Sequence, residues 1–270
     1  PMVYVHPAKD QLGVMVVGPR LHTLKTYPVP PSEVAAYNQG SPLAPAERHE
    51  RDRSVVPATD NWPFLYMREP HLPSHYLSAL AVILVVSFVA VFGVVRGAVR
   101  RWSWEFFFLG AGFMLLETKS IIQFALLWGS TWVVASLTIA AVLVMALLAN
   151  WTVARVEIRR ARLIGGVLLA LLALNYLAPV GTFAFESRLV ESVVYSALVF
   201  SPIYCAGLLF GSSIKRSPDV TIDYGANLLG GMVGGVAEYL SLLMGYQFLL
   251  LLVAVFYVAA LATRRSATTA

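Results

Sequence analysis

Residues 76–95 read YLSALAVILVVSFVAVFGVV, a run without a single charged side chain. At 1.5 Å per helical residue, such a run is about long enough to cross the ~30 Å hydrocarbon core of a bilayer. Six further apolar runs follow it along the chain. The sequence therefore predicts an all-α membrane protein with about seven transmembrane helices, at residues 76–95, 103–128, 131–151, 163–180, 190–212, 222–244 and 246–263.

Composition agrees with a membrane protein. The 270 residues are 58% hydrophobic and 13% charged, whereas a soluble domain is about 45–50% apolar and ~25% charged. The net charge is +5, but Lys and Arg lie at the ends of the apolar runs, where membrane topology explains them. We therefore expect membrane lipids and other membrane protein subunits as partners, and no nucleic acid.

Residues 1–75 are polar to mixed and rich in proline, which predicts a small extramembrane segment. Within it, Val14 to Val17 predict one strand between Gly13 and Gly18. The chain begins with Pro1 and not with Met, inside what looks like a folded segment. We therefore expect a fragment or a processed product of a longer precursor, in which residues 1–75 are possible remnants of a larger soluble domain. Residues 76–263 form the transmembrane bundle, and residues 264–270 form a cytoplasmic tail.

Basic residues predict the orientation of the bundle. They follow the first, third, fifth and seventh apolar runs, so they share one face of the membrane; they are Arg96, Arg100, Arg101, Arg155, Arg159, Arg160, Arg162, Lys215, Arg216, Arg264 and Arg265. Only Arg68 and Arg188 lie close to the runs on the other face. The positive-inside rule assigns the basic face to the cytoplasm. The prediction is a multi-pass protein of the bacterial cytoplasmic (inner) membrane, with residues 1–75 outside and the C-terminus inside.

Four polar residues inside the predicted spans require an explanation, namely Glu117, Lys119, Asn227 and Glu238. A charge near the bilayer centre costs at least ~2.5–3.5 kcal/mol, so each needs a partner or a function. Glu117 and Lys119 are two residues apart, roughly 200° around the helix, and cannot face each other. Lys119 and Glu238 lie at similar depths, ~24 and ~25 Å along their spans, which predicts a buried ion pair. A proton or cation pathway remains open, as does a polar group that faces a lipid headgroup, a pigment or another subunit.

The sixth span carries small and polar residues at helical spacing, namely Asn227, Gly231, Gly234, Glu238 and Ser241. In lipid, such a stripe lets two helix backbones approach closely, so it predicts a packing face that includes Gly231, Gly234 and Ser241. The alternative is a discontinuous helix around a substrate, at the glycine pairs 230–231 and 234–235.

No metal, cofactor or catalytic residue is predicted. All five histidines (His6, His22, His49, His71 and His75) lie outside the predicted hydrocarbon core, so no imidazole is available there for haem or chlorophyll. Cys205 is the only cysteine, which excludes an internal disulfide and a multi-cysteine metal site. Residues 1–75 contain neither a glycine-rich phosphate loop nor a nucleophile-elbow serine.

Three stretches resemble a known family. They are TDNWPFLY at residues 59–66, FLGAGFMLLETK at residues 108–119, and NLLGG at residues 227–231 leading to EYL at 238–240. Together they resemble the C-terminal part of the large bacterial membrane proteins known as spermidine synthase-like, over roughly residues 50–250. In that family a methyltransferase-type α/β domain is flanked by membrane helices, and a second acidic residue is usual where this chain has Asn61.

The resemblance implies that the nucleotide-binding half of such a protein would precede Pro1. Residues 1–75 are too short for a sheet that binds S-adenosylmethionine, so this chain alone is not expected to transfer an aminopropyl or methyl group. The first hypothesis is a non-catalytic membrane subunit that scaffolds or packs into a larger complex. The second is the membrane anchor of a spermidine synthase-like, S-adenosylmethionine-dependent enzyme. The third is a transporter with a polar path through spans two and six.

Overall fold

A computed structural model of the chain describes residues 2–5, 14–17, 47–49, 56, 58–64, 67–94, 101–178 and 187–264. The chain divides into two compact units, residues 1–56 and residues 57–270. In the first unit, three short strands form an antiparallel sheet in the order β2-β1-β3: β1 Met2–Val5, β2 Val14–Val17 and β3 Glu47–His49. The predicted strand at Val14–Val17 is confirmed, and it pairs with β1 so that Val17 lies opposite Met2.

The second unit is helical over most of its described length. Its helices are α1 Ser74–Val94, α2 Trp104–Trp128, α3 Trp132–Arg155, α4 Ala161–Leu177, α5 Arg188–Ile214, α6 Val220–Ala237, α7 Ser241–Met244 and α8 Phe248–Thr263. A 3₁₀ turn at Glu238–Leu240 joins α6 to the short α7. Each predicted apolar run therefore contains a helix, and the run at 222–244 is interrupted by the 3₁₀ turn.

Four segments among the described residues are helices long and apolar enough to cross a membrane: α1, α3, most of α5, and α6 continued by α7. The apolar helices α4 and α8 are shorter, with 17 and 16 residues. The most buried helix, α2, is not among the four and contains Glu105, Glu117 and Lys119. The structure thus supports a helical membrane protein with several helices that can span a bilayer.

Local sequence explains where several helices begin and end. The Thr131 hydroxyl caps α3 by accepting a hydrogen bond from the Val134 amide at 3.3 Å, and Asp219 caps α6 in the same way. Gly129 and Gly245 adopt φ angles of 95° and 84°, which are strained for residues with a side chain. These two glycines allow the short connections from α2 to α3 and from α7 to α8, so the helices on either side run antiparallel.

Helix α2 is the centre of the bundle. It contacts α3, α5, α6 and α8, and its most extensive contact is with α6. Four of its apolar side chains belong to the main core, namely Phe106, Leu109, Leu115 and Leu116, and Leu115 is fully buried. Helix α1, by contrast, packs mainly on α6 and has no buried residue. This arrangement places the polar residues of α2 inside the bundle.

Candidate functional site

A polar cluster lies on the second half of α2. Thr118, Lys119, Ser120 and Gln123 are all buried, and Lys119 is only 3% exposed. The Lys119 Nζ donates a hydrogen bond to the Gln123 Oε1. This contact is possible because residues four apart lie on the same face of a helix. The buried lysine is therefore held by its own helix.

Glu238 has a different partner. Its Oε2 accepts a hydrogen bond of 3.1 Å from the Thr118 hydroxyl, across the contact between α2 and the 3₁₀ turn. Ion pairs between described residues join Arg101 with Asp219, Arg159 with Glu157, and Arg264 with Glu105.

The predicted ion pair between Lys119 and Glu238 is therefore wrong. Thr118 and Lys119 are neighbours in α2 and point about 100° apart, so the residue that faces Glu238 is Thr118 and not Lys119. Glu117 is half-buried on the same helix and belongs to none of the ion pairs between described residues.

Asn227 lies directly at the contact between α2 and α6. Its side-chain amide donates a hydrogen bond of 3.1 Å to the Phe106 carbonyl oxygen. Its own backbone carbonyl lies against Gly110, where an added Cβ would collide with it. Asn227 therefore joins two helix backbones that glycine allows to approach.

The glycines at this contact differ in part from the predicted stripe. A Cβ at Gly230 would collide with the Phe107 carbonyl oxygen, and one at Gly234 would lie 2.5 Å from that of Ala111. A Cβ at Gly231 would meet nothing within 4 Å, so the predicted packing role of Gly231 is wrong. Consecutive helical residues point about 100° apart, and Gly231 is turned away from α2. Ser241 is buried, with 4% of its surface exposed.

A crevice of about 650 Å³ lies beside this contact and is lined by residues from α1, α2, α3, α5, α6 and α8. Most of its lining is apolar or glycine, and Gly231 belongs to it. Its polar lining residues are Asn150, Tyr224, Asn227 and Tyr257. The three charged residues predicted for the spans, Glu117, Lys119 and Glu238, do not line it.

One end of the bundle carries a network that sequence reasoning missed. Glu105, at the start of α2, accepts a hydrogen bond of 2.5 Å from Ser213 and forms an ion pair of 3.7 Å with Arg264. Arg264 also donates to the Ser212 hydroxyl at 3.1 Å. The side chains of Arg264 and Glu105 are only 12% and 7% exposed. The detectable signal was the acidic residue Glu105 in the first turn of α2.

Two further contacts belong to this end. Arg101 and Asp219 form an ion pair of 3.8 Å before α2 and α6, and the Lys215 ammonium donates to the Val153 carbonyl oxygen. We call this region, defined by Arg101, Glu105, Lys215, Asp219 and Arg264, the charged end. The starts of α2 and α6 meet the ends of α3, α5 and α8 there.

The connection between α7 and α8 binds the segment that precedes α1. The Trp62 indole donates a hydrogen bond of 2.8 Å to the Leu242 carbonyl oxygen. The Asn61 carbonyl accepts from the Tyr246 amide at 2.8 Å, and the Asn61 side-chain oxygen accepts from the Gln247 amide at 2.9 Å. These contacts lie at the C-terminal end of α6 and α7, remote from the charged end. We call them the Asn61–Trp62 anchor.

The anchor also sets the environment of Tyr246. Tyr246 is buried, with 2% of its surface exposed. Gly245 is required here, because a Cβ would lie 2.6 Å from the Asn61 side-chain nitrogen. Asn61 therefore has a structural role. Its backbone and side-chain oxygens accept hydrogen bonds from the backbone amides of Tyr246 and Gln247.

The described residues include no group of three His, Cys, Asp or Glu side chains placed to hold a metal ion. His71 is exposed, and its Nδ1 lies 3.0 Å from the Glu69 carbonyl oxygen. Of His49 the structure describes the backbone in β3, while His6 and His22 lie outside the described residues. Cys205 is a buried free thiol on α5.

Comparison of the chain with family models, with curated proteins and with solved structures finds no match.

Proposed function

We propose that this chain is a non-catalytic integral membrane subunit whose bundle scaffolds a larger membrane complex. The observation that carries the proposal is the placement of the charged residues. Lys119 and Glu238 are each hydrogen-bonded to neighbouring side chains, and neither lines the crevice. Polar residues used in this way fix helix positions and provide no route for a solute.

Close backbone contacts add to this proposal. Gly110, Gly230 and Gly234 allow α2 and α6 to approach so closely that side chains do not separate their backbones at these points. Such a contact leaves little freedom for the rocking motions by which transporters alternate their access. A rigid bundle is what a scaffold requires, so the transporter hypothesis is the less favoured one.

The topology that we propose has seven spans in the bacterial inner membrane, with residues 1–75 outside and the C-terminus in the cytoplasm. Basic residues that follow α5 and α8 gather at the charged end, which supports assigning that end to the cytoplasm. The Asn61–Trp62 anchor, at the opposite end of α6 and α7, supports placing the preceding segment outside.

Thiol labelling tests this topology. After Cys205→Ala, a cysteine is introduced by Ser41→Cys or by Ser217→Cys, and intact spheroplasts are treated with a membrane-impermeant maleimide. We expect labelling of the first variant only, and labelling of both after lysis. Labelling of Ser217→Cys alone in intact spheroplasts would reverse the orientation.

A second candidate function is the membrane anchor of a spermidine synthase-like enzyme. It is favoured by the Asn61–Trp62 anchor, which fastens the segment before α1 to the bundle by three hydrogen bonds. A domain that precedes this segment in a longer polypeptide would be held at that end of the bundle.

The intact mass of the native polypeptide, isolated from its own membrane in mild detergent, separates the two functions. A polypeptide of 29.5 kDa that co-purifies with partner subunits in fixed stoichiometry supports the scaffold. A much heavier polypeptide supports the enzyme anchor and contradicts the separate subunit. A 29.5 kDa polypeptide that is monomeric in its native membrane would contradict both.

A further inference from the structure

The crevice is open at the surface of the bundle. Two of its lining residues on α6, Tyr224 and Leu228, are 50% and 55% exposed. Its volume of about 650 Å³ falls within the roughly 300–1,000 Å³ that is usual for sites of small ligands. Because the surrounding helices carry apolar side chains on their outer faces, the opening of the crevice faces lipid when the bundle lies in a membrane.

Polarity changes along the length of the crevice. The polar lining residues lie close to the charged end: Asn227 is about 10 Å from the start of α6, and Asn150 and Tyr257 are about 8–9 Å from the ends of α3 and α8. At the far end the lining is apolar and includes Gly235, about 22 Å along α6, and Leu80 of α1. An amphiphilic molecule that lies along the membrane normal has the same gradient.

The hydroxyl of Tyr257 is a second, independent indication that the crevice binds a ligand. The side chain of Tyr257 is fully buried and lines the crevice, yet its hydroxyl has no hydrogen-bond partner among the described residues. A buried hydroxyl without a hydrogen-bond partner destabilises the folded state. A ligand with an acceptor atom at this depth would remove that destabilisation.

From these observations we propose that the crevice binds one acyl chain of a membrane glycerolipid, with an ester carbonyl that accepts the hydrogen bond from Tyr257. The chain occupies the apolar part beside Gly231 and Gly235, and the headgroup lies toward the charged end. The ester carbonyls of a glycerolipid lie at the edge of the hydrocarbon core, on the same side as the polar lining. Here Arg101, whose side chain is 71% exposed, can contact a phosphate.

Glycine creates the space for the chain. An added Cβ at Gly231 would meet nothing within 4 Å, and one at Gly235 would only touch Met114 at 4.0 Å. A larger residue at Gly231 therefore fills the crevice without a collision in the contact between α2 and α6. Gly166 of α4 is a matched control, since a Cβ there also meets nothing within 4 Å and Gly166 does not line the crevice.

Photo-crosslinking tests the proposal. The full chain is delipidated and reconstituted into vesicles that contain phosphatidylglycerol with a diazirine in one acyl chain, and crosslinks are mapped by mass spectrometry. We expect concentrated labelling of the lining peptides around Phe113 and Met232. Gly231→Leu should abolish most of this labelling, and Gly166→Leu should leave it unchanged.

The proposed hydrogen bond from the Tyr257 hydroxyl is tested by a separate variant. Tyr257→Phe removes the hydrogen-bond donor and keeps the ring, so the concentration of labelled lipid needed for half-maximal crosslinking should rise about threefold to tenfold. Thermal unfolding of each variant shows that the bundle is intact. Equal labelling of wild type and folded Gly231→Leu would overturn the proposal, as would labelling spread evenly over the outer faces of α1 and α3. Retention of an isoprenoid quinone by the purified protein, in place of a glycerolipid, would overturn the assigned class of ligand.

Discussion

Helices α1 and α2 are both apolar, but they occupy opposite places in the bundle. Helix α1 has no charged residue and no buried residue, and residues such as Val85 and Val89 are 63% and 67% exposed. Helix α2 contains Glu105, Glu117 and Lys119, and most of its residues are buried. In lipid, apolar side chains gain little by leaving the bilayer, whereas polar groups need protein partners. The more polar helix therefore occupies the centre, and the more apolar one lies outside.

The contrast between α1 and α2 is tested most strongly by replacing one phenylalanine of each helix with alanine. Phe124 of α2 is fully buried and stacks on Trp128 with ring centroids 4.6 Å apart, whereas Phe88 of α1 is 36% exposed. We expect Phe124→Ala to lower the free energy of unfolding by about 3–5 kcal/mol, because a cavity remains in the packed interior. Phe88→Ala should change it by less than about 1 kcal/mol.

Reversible unfolding of the purified protein in mixed detergent and dodecyl sulfate micelles measures both changes. Similar losses for the two variants would show that α1 is as tightly packed as α2, contrary to the structure.

Two adjacent glycines sharpen the same contrast within one helix. Gly230→Ala forces a methyl group against the Phe107 carbonyl oxygen of α2, so we expect a loss of about 1–3 kcal/mol in the free energy of unfolding. Gly231→Ala adds its methyl group to open space and replaces glycine by a better helix former. It should be neutral or stabilising by up to about 1 kcal/mol. The same unfolding assay measures both changes in the free energy of unfolding. Equal changes for the two variants would contradict the rotation of α6 that turns Gly230 toward α2 and Gly231 away from it.

The smallest expected effect concerns the partner of Lys119. A double-mutant cycle with Lys119→Met and Gln123→Leu should give a coupling energy of about 1 kcal/mol, since these side chains share a hydrogen bond. The cycle with Lys119→Met and Glu238→Gln should give less than about 0.5 kcal/mol. A large coupling in the second cycle would restore the ion pair between α2 and the 3₁₀ turn.

Much of the helical architecture was predictable from the sequence because it depends on local composition. Apolar runs of sufficient length predict helices in lipid whatever their neighbours are, and each predicted run does contain a helix. The strand at Val14–Val17 was predictable for a similar reason, since β-branched residues between glycines favour extended backbone. The glycine pairs 230–231 and 234–235, where a break was considered, lie inside the continuous helix α6, and the interruption of the sixth run comes after them at Glu238–Leu240.

The site residues were predictable as residue types but not as partners. Lys119 was identified because a buried charge is costly, yet its partner Gln123 is an uncharged residue of the same helix. Gly234 lies at the close contact with α2, whereas Gly231 faces the crevice. The prediction failed on the direction in which Lys119 and Gly231 face, whereas Gly234 does lie at a close contact between helices.

The sequence by itself determined which segments are helical and apolar and where charge and glycine occur along them. Tertiary structure alone decided which way each residue faces. Each residue turns a helix by about 100°, so a small rotation moves a side chain from a partner helix to lipid or to the crevice. That rotation depends on packing between segments far apart in sequence, such as Glu105 with Arg264 and Asn61 with Gln247. Hydropathy carries no record of these contacts, because lipid and protein interior are almost equally apolar.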